Sequence, residues 1–381
     1  MAIHALFAGL SLALIGAVLF DCFETMILPR PVTRKLRPVR VFYRFLWSAW
    51  RSGARWFRQR QRREVFLSLF GPLSVLLLFM TWAALLMVGF GTLHWSSGTV
   101  LRPAVERSPL GSYLYLSGTT FFTLGYGDVT PVDALGRLLA VIESGMGFGF
   151  MAVVIGYLPV LYQAYAIRER TIGLLDARAG SPPTAGEFLT RLADAGRWDA
   201  AQDFEREWEG WSADLLDNQL AFPVLAYYRS QHANQSWVTT LAFILDTSAL
   251  LLVDDRKPDR YQYRLTFAMA RHAAVDLSLI FWVPPRPPAI DRLPRDRLAE
   301  LLKLLAPDGE PPRDLDTAVV TLSELRAMYE PFLIGLSEYF EFALPAMMPE
   351  KAVVDNWQTS AWLKRTPGIS SLPGKETEHF G

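Results

Sequence analysis

Cysteine is almost absent from this chain: Cys22 stands alone among 381 residues, so no intrachain disulfide and no cysteine-rich zinc site can be built. Acidic residues are missing from the whole stretch between Arg30 and Arg63, which holds twelve Lys or Arg. Charged side chains of either sign are missing from Ala2 to Phe20 and from Val65 to Thr92, and Leu138 to Ala166 carries only Glu143. The formal net charge of zero conceals this segregation, so local rather than total charge bears on partners. No internal repeat is present, and after residue 170 no nucleophile, metal-ligand or phosphate-binding spacing points to an enzyme.

The uncharged runs are what the chain has instead. Each is long enough, or nearly so, to cross a hydrocarbon layer roughly 30 Å thick. The first is extended to about Leu28, and it is read as an uncleaved membrane helix. No Lys or Arg precedes its apolar run and no small-residue cleavage site with a polar flank follows, which argues against a signal peptide. By the positive-inside rule the basic stretch is cytoplasmic. Counting crossings then puts the N-terminus and residues 93–136 outside, and the C-terminal part inside, with Arg168 and Arg170 just past the last span.

Within the basic stretch, Phe42, Phe45, Leu46, Ala49, Trp50, Gly53 and Phe57 fall on one helical stripe and Arg44, Arg51, Arg55 and Arg58 on the opposite one. This predicts an amphipathic helix that lies on the anionic inner membrane surface or docks on protein. Nucleic acid is not an expected partner, because the basic run over 30–63 is held between two spans. Asp21 and Glu24 end the first span near Arg30 and Arg34, in reach of an interfacial ion pair or a sensing role.

Beyond residue 170 the pattern becomes that of amphipathic helices, over 184–194, 197–220, 260–281 and 315–344. The apolar run Trp237 to Val253 is short for a span and interrupted by Asp246, so it reads as a buried core helix. Proline-rich stretches at 284–294 and 306–312 read as loops. His232 and His272 have no paired ligands nearby in sequence and read as structural. The expected organisation is a transmembrane helix over 1–28, a basic interfacial segment over 29–64, a membrane domain over 65–166, a helical cytoplasmic domain over 167–365 and a disordered tail over 366–381.

Between the second and third spans, Gly111 to Phe122 is mildly apolar, of helix length and too short to span, so it reads as a half-helix re-entering the membrane from outside. Thr123-Leu124-Gly125-Tyr126-Gly127-Asp128 follows at once, then Pro131 and the third span. This arrangement closely resembles the pore loop of the potassium-channel superfamily in its two-transmembrane form. The resemblance covers about residues 65–166. It implies an all-α membrane protein, with a pore-loop channel domain flanked by the N-terminal transmembrane helix and the helical cytoplasmic domain, and four copies assembled around one pore. Potassium would be the permeant ion and no cofactor is implied.

Glycine makes chemical sense in such a loop. A dehydrated potassium ion needs rings of oxygens, and a backbone directs successive carbonyls toward one axis only through conformations that side chains resist. The resemblance implies that Thr123 forms the innermost ion site, that Leu124, Gly125 and Tyr126 supply the central carbonyls, and that Gly127 and Asp128 form the outer mouth. It also implies that Tyr126 braces the strand against the loop helix and that Tyr115 bonds Asp128 from behind. Leu124 stands where Val is usual, Phe122 where Thr is common, and Thr119 replaces an acidic residue found behind some filters.

Gly145, Gly147, Gly149 and Pro159 in the third span are candidate gating residues. Gly147 matches the family's hinge position and Pro159 could kink the helix near the inner gate, while the small residues equally suit close helix packing. Glu143 is a candidate filter support that contacts the loop helix or sits near the outer interface. No regular arginine series lies inside a span, which excludes a voltage sensor of the usual kind. No glycine-rich strand-to-helix fingerprint marks a dinucleotide-binding regulatory domain, so the regulatory ligand is undefined. Two rival readings remain at this point: a cation channel that does not discriminate sodium, and a membrane-anchored sensor with a vestigial pore.

Overall fold

The computed structural model describes residues 2–28, 38–102, 109–231, 234–253, 260–305 and 314–349. Arg30, Arg34, His232, the 306–312 stretch and the 366–381 tail lie outside the described residues. The chain divides into two compact units, Met1–Gln163 and Ala164–Gly381.

In the first unit α1 (Ala2–Met26) packs along α4 (Phe70–Ser96). The two approach closely at Gly89, where an added Cβ would sit 2.7 Å from Ile15. Ser11 Oγ and Thr92 Oγ1 are hydrogen-bonded across them at 2.7 Å. Asp21 is buried and accepts from the Trp82 indole at 3.0 Å and from the Val39 N–H at 3.4 Å. It therefore ties α1 both to α4 and to the start of α2 (Pro38–Ala54).

The packed face of α2 differs from the stripe expected from sequence. Val39, Tyr43, Trp47 and Ala54 are buried, whereas Phe45 is 78% exposed. Trp47 meets the Phe70 ring at 4.8 Å, and Trp50 stacks on Phe66 of α3 (Arg60–Ser68) while its indole donates to the Phe66 carbonyl at 3.0 Å. Aromatic residues occur on more than one side of α2, so one face docks on protein and leaves Phe45 outward. Arg44, Arg55 and Arg58 are exposed.

α5 (Leu110–Phe121) leans on α4, and a two-residue antiparallel ladder, β1 (Leu101–Arg102) with β2 (Thr130–Pro131), closes the loop that contains it. α6 (Ala134–Gly173) follows as one helix with Pro159 inside it. Pro159 has no N–H to give, so the Ile155 carbonyl lacks its usual helical partner. Among the described residues, three helical stretches are long and apolar enough to cross a membrane: Ala2–Met26, Arg60–Ser96 and Ala134–Ala179.

The described residues of the second unit are mainly helical: α7 (Leu175–Ala179), α8 (Ala185–Asp194), α9 (Asp199–Ala221), α10 (Trp237–Val253), α11 (Tyr261–Ile280), α12 (Arg295–Leu304), α13 (Leu315–Ala327) and α14 (Glu330–Phe340). α10 is its core, buried along almost its whole length as its composition predicts. Asp246 is accommodated there because Arg292 pairs with it at 2.5 Å and the Tyr329 hydroxyl donates to it at 2.7 Å. Glu330 takes Arg292 at 3.4 Å and Arg326 at 3.0 Å, so the buried charges form a closed network. The single helix expected over 315–344 is broken after Ala327. Pro331 lies in the first turn of α14, where its ring cannot continue a preceding helix.

Candidate functional site

α5 is held in place from its middle. Ser117 Oγ donates to the Met87 carbonyl of α4 at 2.8 Å, and Tyr113 Oη donates to the Thr99 carbonyl at 3.0 Å. Gly91 lets the backbones close up, since an added Cβ would lie 3.1 Å from the Leu114 Cα. Leu101, Tyr113 and Leu116 form a small core beneath the ladder with Trp95 and Val129 packed against it.

The chain leaves α5 at Phe122 and enters a segment of alternating handedness. Thr123, Gly125 and Gly127 have φ of 55°, 57° and 78°, while Leu124 and Tyr126 are not left-handed. Space does not require glycine here, because an added Cβ at Gly125 or Gly127 would meet nothing within 4 Å. The positive φ does. For Thr123, a β-branched residue, it is a strained state costing of order 1–3 kcal/mol, of the kind that gathers at functional sites. The Leu124 and Gly125 N–H groups both donate to the Thr119 carbonyl, at 2.8 and 3.3 Å, which anchors the start of the segment to the end of the helix.

The hydrogen bond expected behind the segment is present, with Tyr115 Oη donating to Asp128 Oδ2 at 2.8 Å. Tyr126 is placed otherwise: it is 70% exposed, so it does not brace the loop helix of its own chain. Leu124 and Phe122 are exposed as well.

Glu143 is fully buried and reaches α5, where its Oε1 lies in hydrogen-bond contact with Ser117 Oγ, whose single proton is shared between this carboxyl and the Met87 carbonyl. Its Oε2 lies 3.7 Å from His94 Nε2, and His94 Nδ1 is 3.1 Å from Thr99 Oγ1. This connects α4, α5 and α6 through one polar cluster. His94 was not singled out by the sequence, and its place near the end of an apolar run is the only trace it leaves there. Asp133 was likewise missed. It accepts from the N–H groups of Gly136 and Val100 at 2.9 and 2.8 Å, capping α6, and these bonds, the Gly136 bond above all, hold its carboxyl below the usual range.

Of the three candidate gating glycines, Gly147 is the one in contact. A Cβ there would stand 1.9 Å from the Phe121 carbonyl oxygen, so α6 crosses the end of α5 on bare backbone. Gly145 and Gly149 face open space.

The family model described as "Ion channel" matches residues 76–163, a span that contains every candidate residue from Tyr115 to Pro159. Protein LctB of Geobacillus stearothermophilus is 32% identical over 93 residues, which are 22% of this chain and 69% of that protein. The chain belongs to the ion-channel family. Protein LctB of Bacillus caldotenax is 31% identical over 93 residues, again 22% of this chain and 69% of the relative. The uncharacterized membrane protein YdjJ of Bacillus subtilis (strain 168) is 26% identical over 213 residues, 51% of this chain and 57% of that protein. The match thus spans little more than half of that relative's length. No solved structure gives a significant match. As an ion-channel family member with three apolar helices of spanning length, the protein is a membrane protein.

Proposed function

We propose that the chain is one subunit of a potassium-selective channel, four copies of which surround a filter made by the backbone of Thr123 to Asp128. The observation that carries this reading is the alternation of left-handed Thr123, Gly125 and Gly127 with Leu124 and Tyr126. A strand directs successive carbonyls to opposite sides, whereas alternating handedness turns them to one side, as an ion replacing its water shell requires. One loop supplies a quarter of each oxygen ring, hence four subunits. The exposed Phe122, Leu124 and Tyr126 are then surfaces for neighbouring subunits, and Tyr126 braces an adjacent subunit rather than its own.

On this reading residues 65–166 form the pore domain and 167–365 a cytoplasmic domain, with the tail beyond. The C-terminal end of α5 aims its partial negative charge at the inner cavity. Glu143 and Tyr115 support the filter from behind, and Pro159 lies on the inner stretch of the pore-lining helix. The exposed Arg44, Arg55 and Arg58 meet anionic lipid at the inner surface.

Reversal potentials of the purified protein in planar bilayers with asymmetric KCl and NaCl test the selectivity. A reversal near the potassium equilibrium potential is expected. A reversal that ignores the exchange of sodium for potassium replaces the reading with a non-selective cation channel, and absence of any monovalent current defeats it.

A further inference from the structure

Two buried polar atoms of the first unit face each other without a hydrogen bond. His94 Nε2 on α4 and Glu143 Oε2 on α6 are 3.7 Å apart, both side chains are fully buried, and neither atom is hydrogen-bonded among the described residues. The other end of each group is engaged, His94 Nδ1 with Thr99 Oγ1 at 3.1 Å and Glu143 Oε1 with Ser117 Oγ on α5. The titratable groups that the surrounding elements bring near are occupied elsewhere. Asp133, ahead of α6, bears on His94 through space and is held by the N–H groups of Gly136 and Val100. Tyr113 of α5 donates to the Thr99 carbonyl, and His4 of α1 is exposed, with its ring on Trp95 at 5.0 Å.

Proton counting fixes what this pair can hold. An imidazolium opposite a carboxylate and a neutral imidazole opposite a carboxylic acid each carry one proton and no net charge. In the first form Ser117 donates to Glu143. In the second the acid donates to Ser117 Oγ, whose own proton goes to the Met87 carbonyl at 2.8 Å. Both forms suit a buried site. With no proton the carboxylate is a buried anion without a counter-charge, and with two the imidazolium is a buried cation without one; either state is strongly disfavoured. His94 and Glu143 therefore titrate as a unit.

The pair holds α5 in its seat. The Glu143–Ser117 contact and the Gly147–Phe121 contact lie one helical turn apart on each helix, so Glu143 and Gly147 bear on the same face of α5. Between those two points on α5 is Thr119, whose carbonyl takes the Leu124 and Gly125 N–H groups and sets where the 123–128 segment begins. A shift of α5 at Ser117 is passed to that segment through Thr119. We propose, resting on the channel reading, that His94 is a positioning residue for the filter: it shares one proton with Glu143, and removing that proton or adding a second unseats α5 and closes the filter. On that reading residues 93–136 are on the outer side, so the outer solution exchanges the proton.

Recording from the full-length protein in planar bilayers, with the pH of one side varied from about 5 to about 9, tests this, since ordinary carboxylates are already ionised over that range. Changing the outer pH should lower the potassium current by roughly tenfold or more toward at least one end of the range, because a buried charge stripped of its counter-charge is worth at least that in an equilibrium. His4→Gln should keep the response, and His94→Gln combined with Glu143→Gln should conduct without it. In thermal melting of the purified protein, His94→Gln and Glu143→Gln should each lower the midpoint, and the double variant should recover much of the loss, as removal of both members of a buried pair implies. The role of His94 is overturned by a potassium-selective current that ignores outer pH, by a response that follows inner pH alone, survives in the double variant or vanishes in His4→Gln, or by melting losses that add. The channel reading survives each of those results. Absence of any current defeats that reading, and this role with it.

Discussion

At the scale of single residues, three side chains carry sharp consequences. Gly147 meets the Phe121 carbonyl with no room for a methyl group, so Gly147→Ala should force α6 away from α5. Overpacking of this kind costs about 1–3 kcal/mol or more. Loss of flux and of the assembled species on gel filtration is expected, while Gly145→Ala and Gly149→Ala assemble normally. Tyr115 donates to Asp128, and Tyr115→Phe should destabilise the conducting state and alter inactivation in single-channel records. Unchanged open times would show that the bond is idle. Glu205 is enclosed in the second unit, where Ser248 Oγ donates to it at 2.6 Å, and burial pushes its carboxyl from 4.5 up to about 8. The folded state therefore keeps the proton longer than the unfolded chain. The stability this contributes is complete below the ordinary carboxylate range and is lost as pH rises through about 8, by at most about 1.4 kcal/mol per pH unit. Chemical denaturation at pH 6 and at pH 8.5 should show the parent weakening relative to Glu205→Gln.

At the scale of elements, α10 shows how an apolar helix tolerates a charge at its centre. Arg292→Met would leave Asp246 buried without its cation and should cost about 3–5 kcal/mol, while adding Asp246→Asn should restore most of the loss, because the pair's value lies in mutual compensation. Thermal unfolding of the two variants checks this. The same helix was legible in the sequence, since length and the interrupting Asp246 are local properties; Arg292 and Tyr329, which satisfy it, lie 46 and 83 positions on, where periodicity carries no information. For a similar reason Glu143 stood out as an ionisable group in an apolar run while His94, its neighbour from α4, did not. The half-helix was placed within a residue at each end, because its apolar length and the glycines after it are sequence-local. The docked face of α2 escaped notice because Trp and Phe occur on several of its sides, and only Phe66 and Phe70 of the following helices decide which side is covered.

At the scale of the whole molecule, the proposed basic surface of α2 is tested with vesicles. Binding should rise with the fraction of anionic lipid, fall with ionic strength, and weaken when Arg44, Arg55 and Arg58 are replaced together by Gln. The larger consequence comes from the segment at 122–128, which a lone chain leaves uncovered. On the proposed four-subunit reading, a subunit that supplies one quarter of a shared lining cannot be defective in private. If Gly125→Ala chains are co-expressed in equal amount with the parent and mix at random, roughly one assembly in sixteen escapes the altered copy. The trait should therefore be genetically dominant, with residual current far below half.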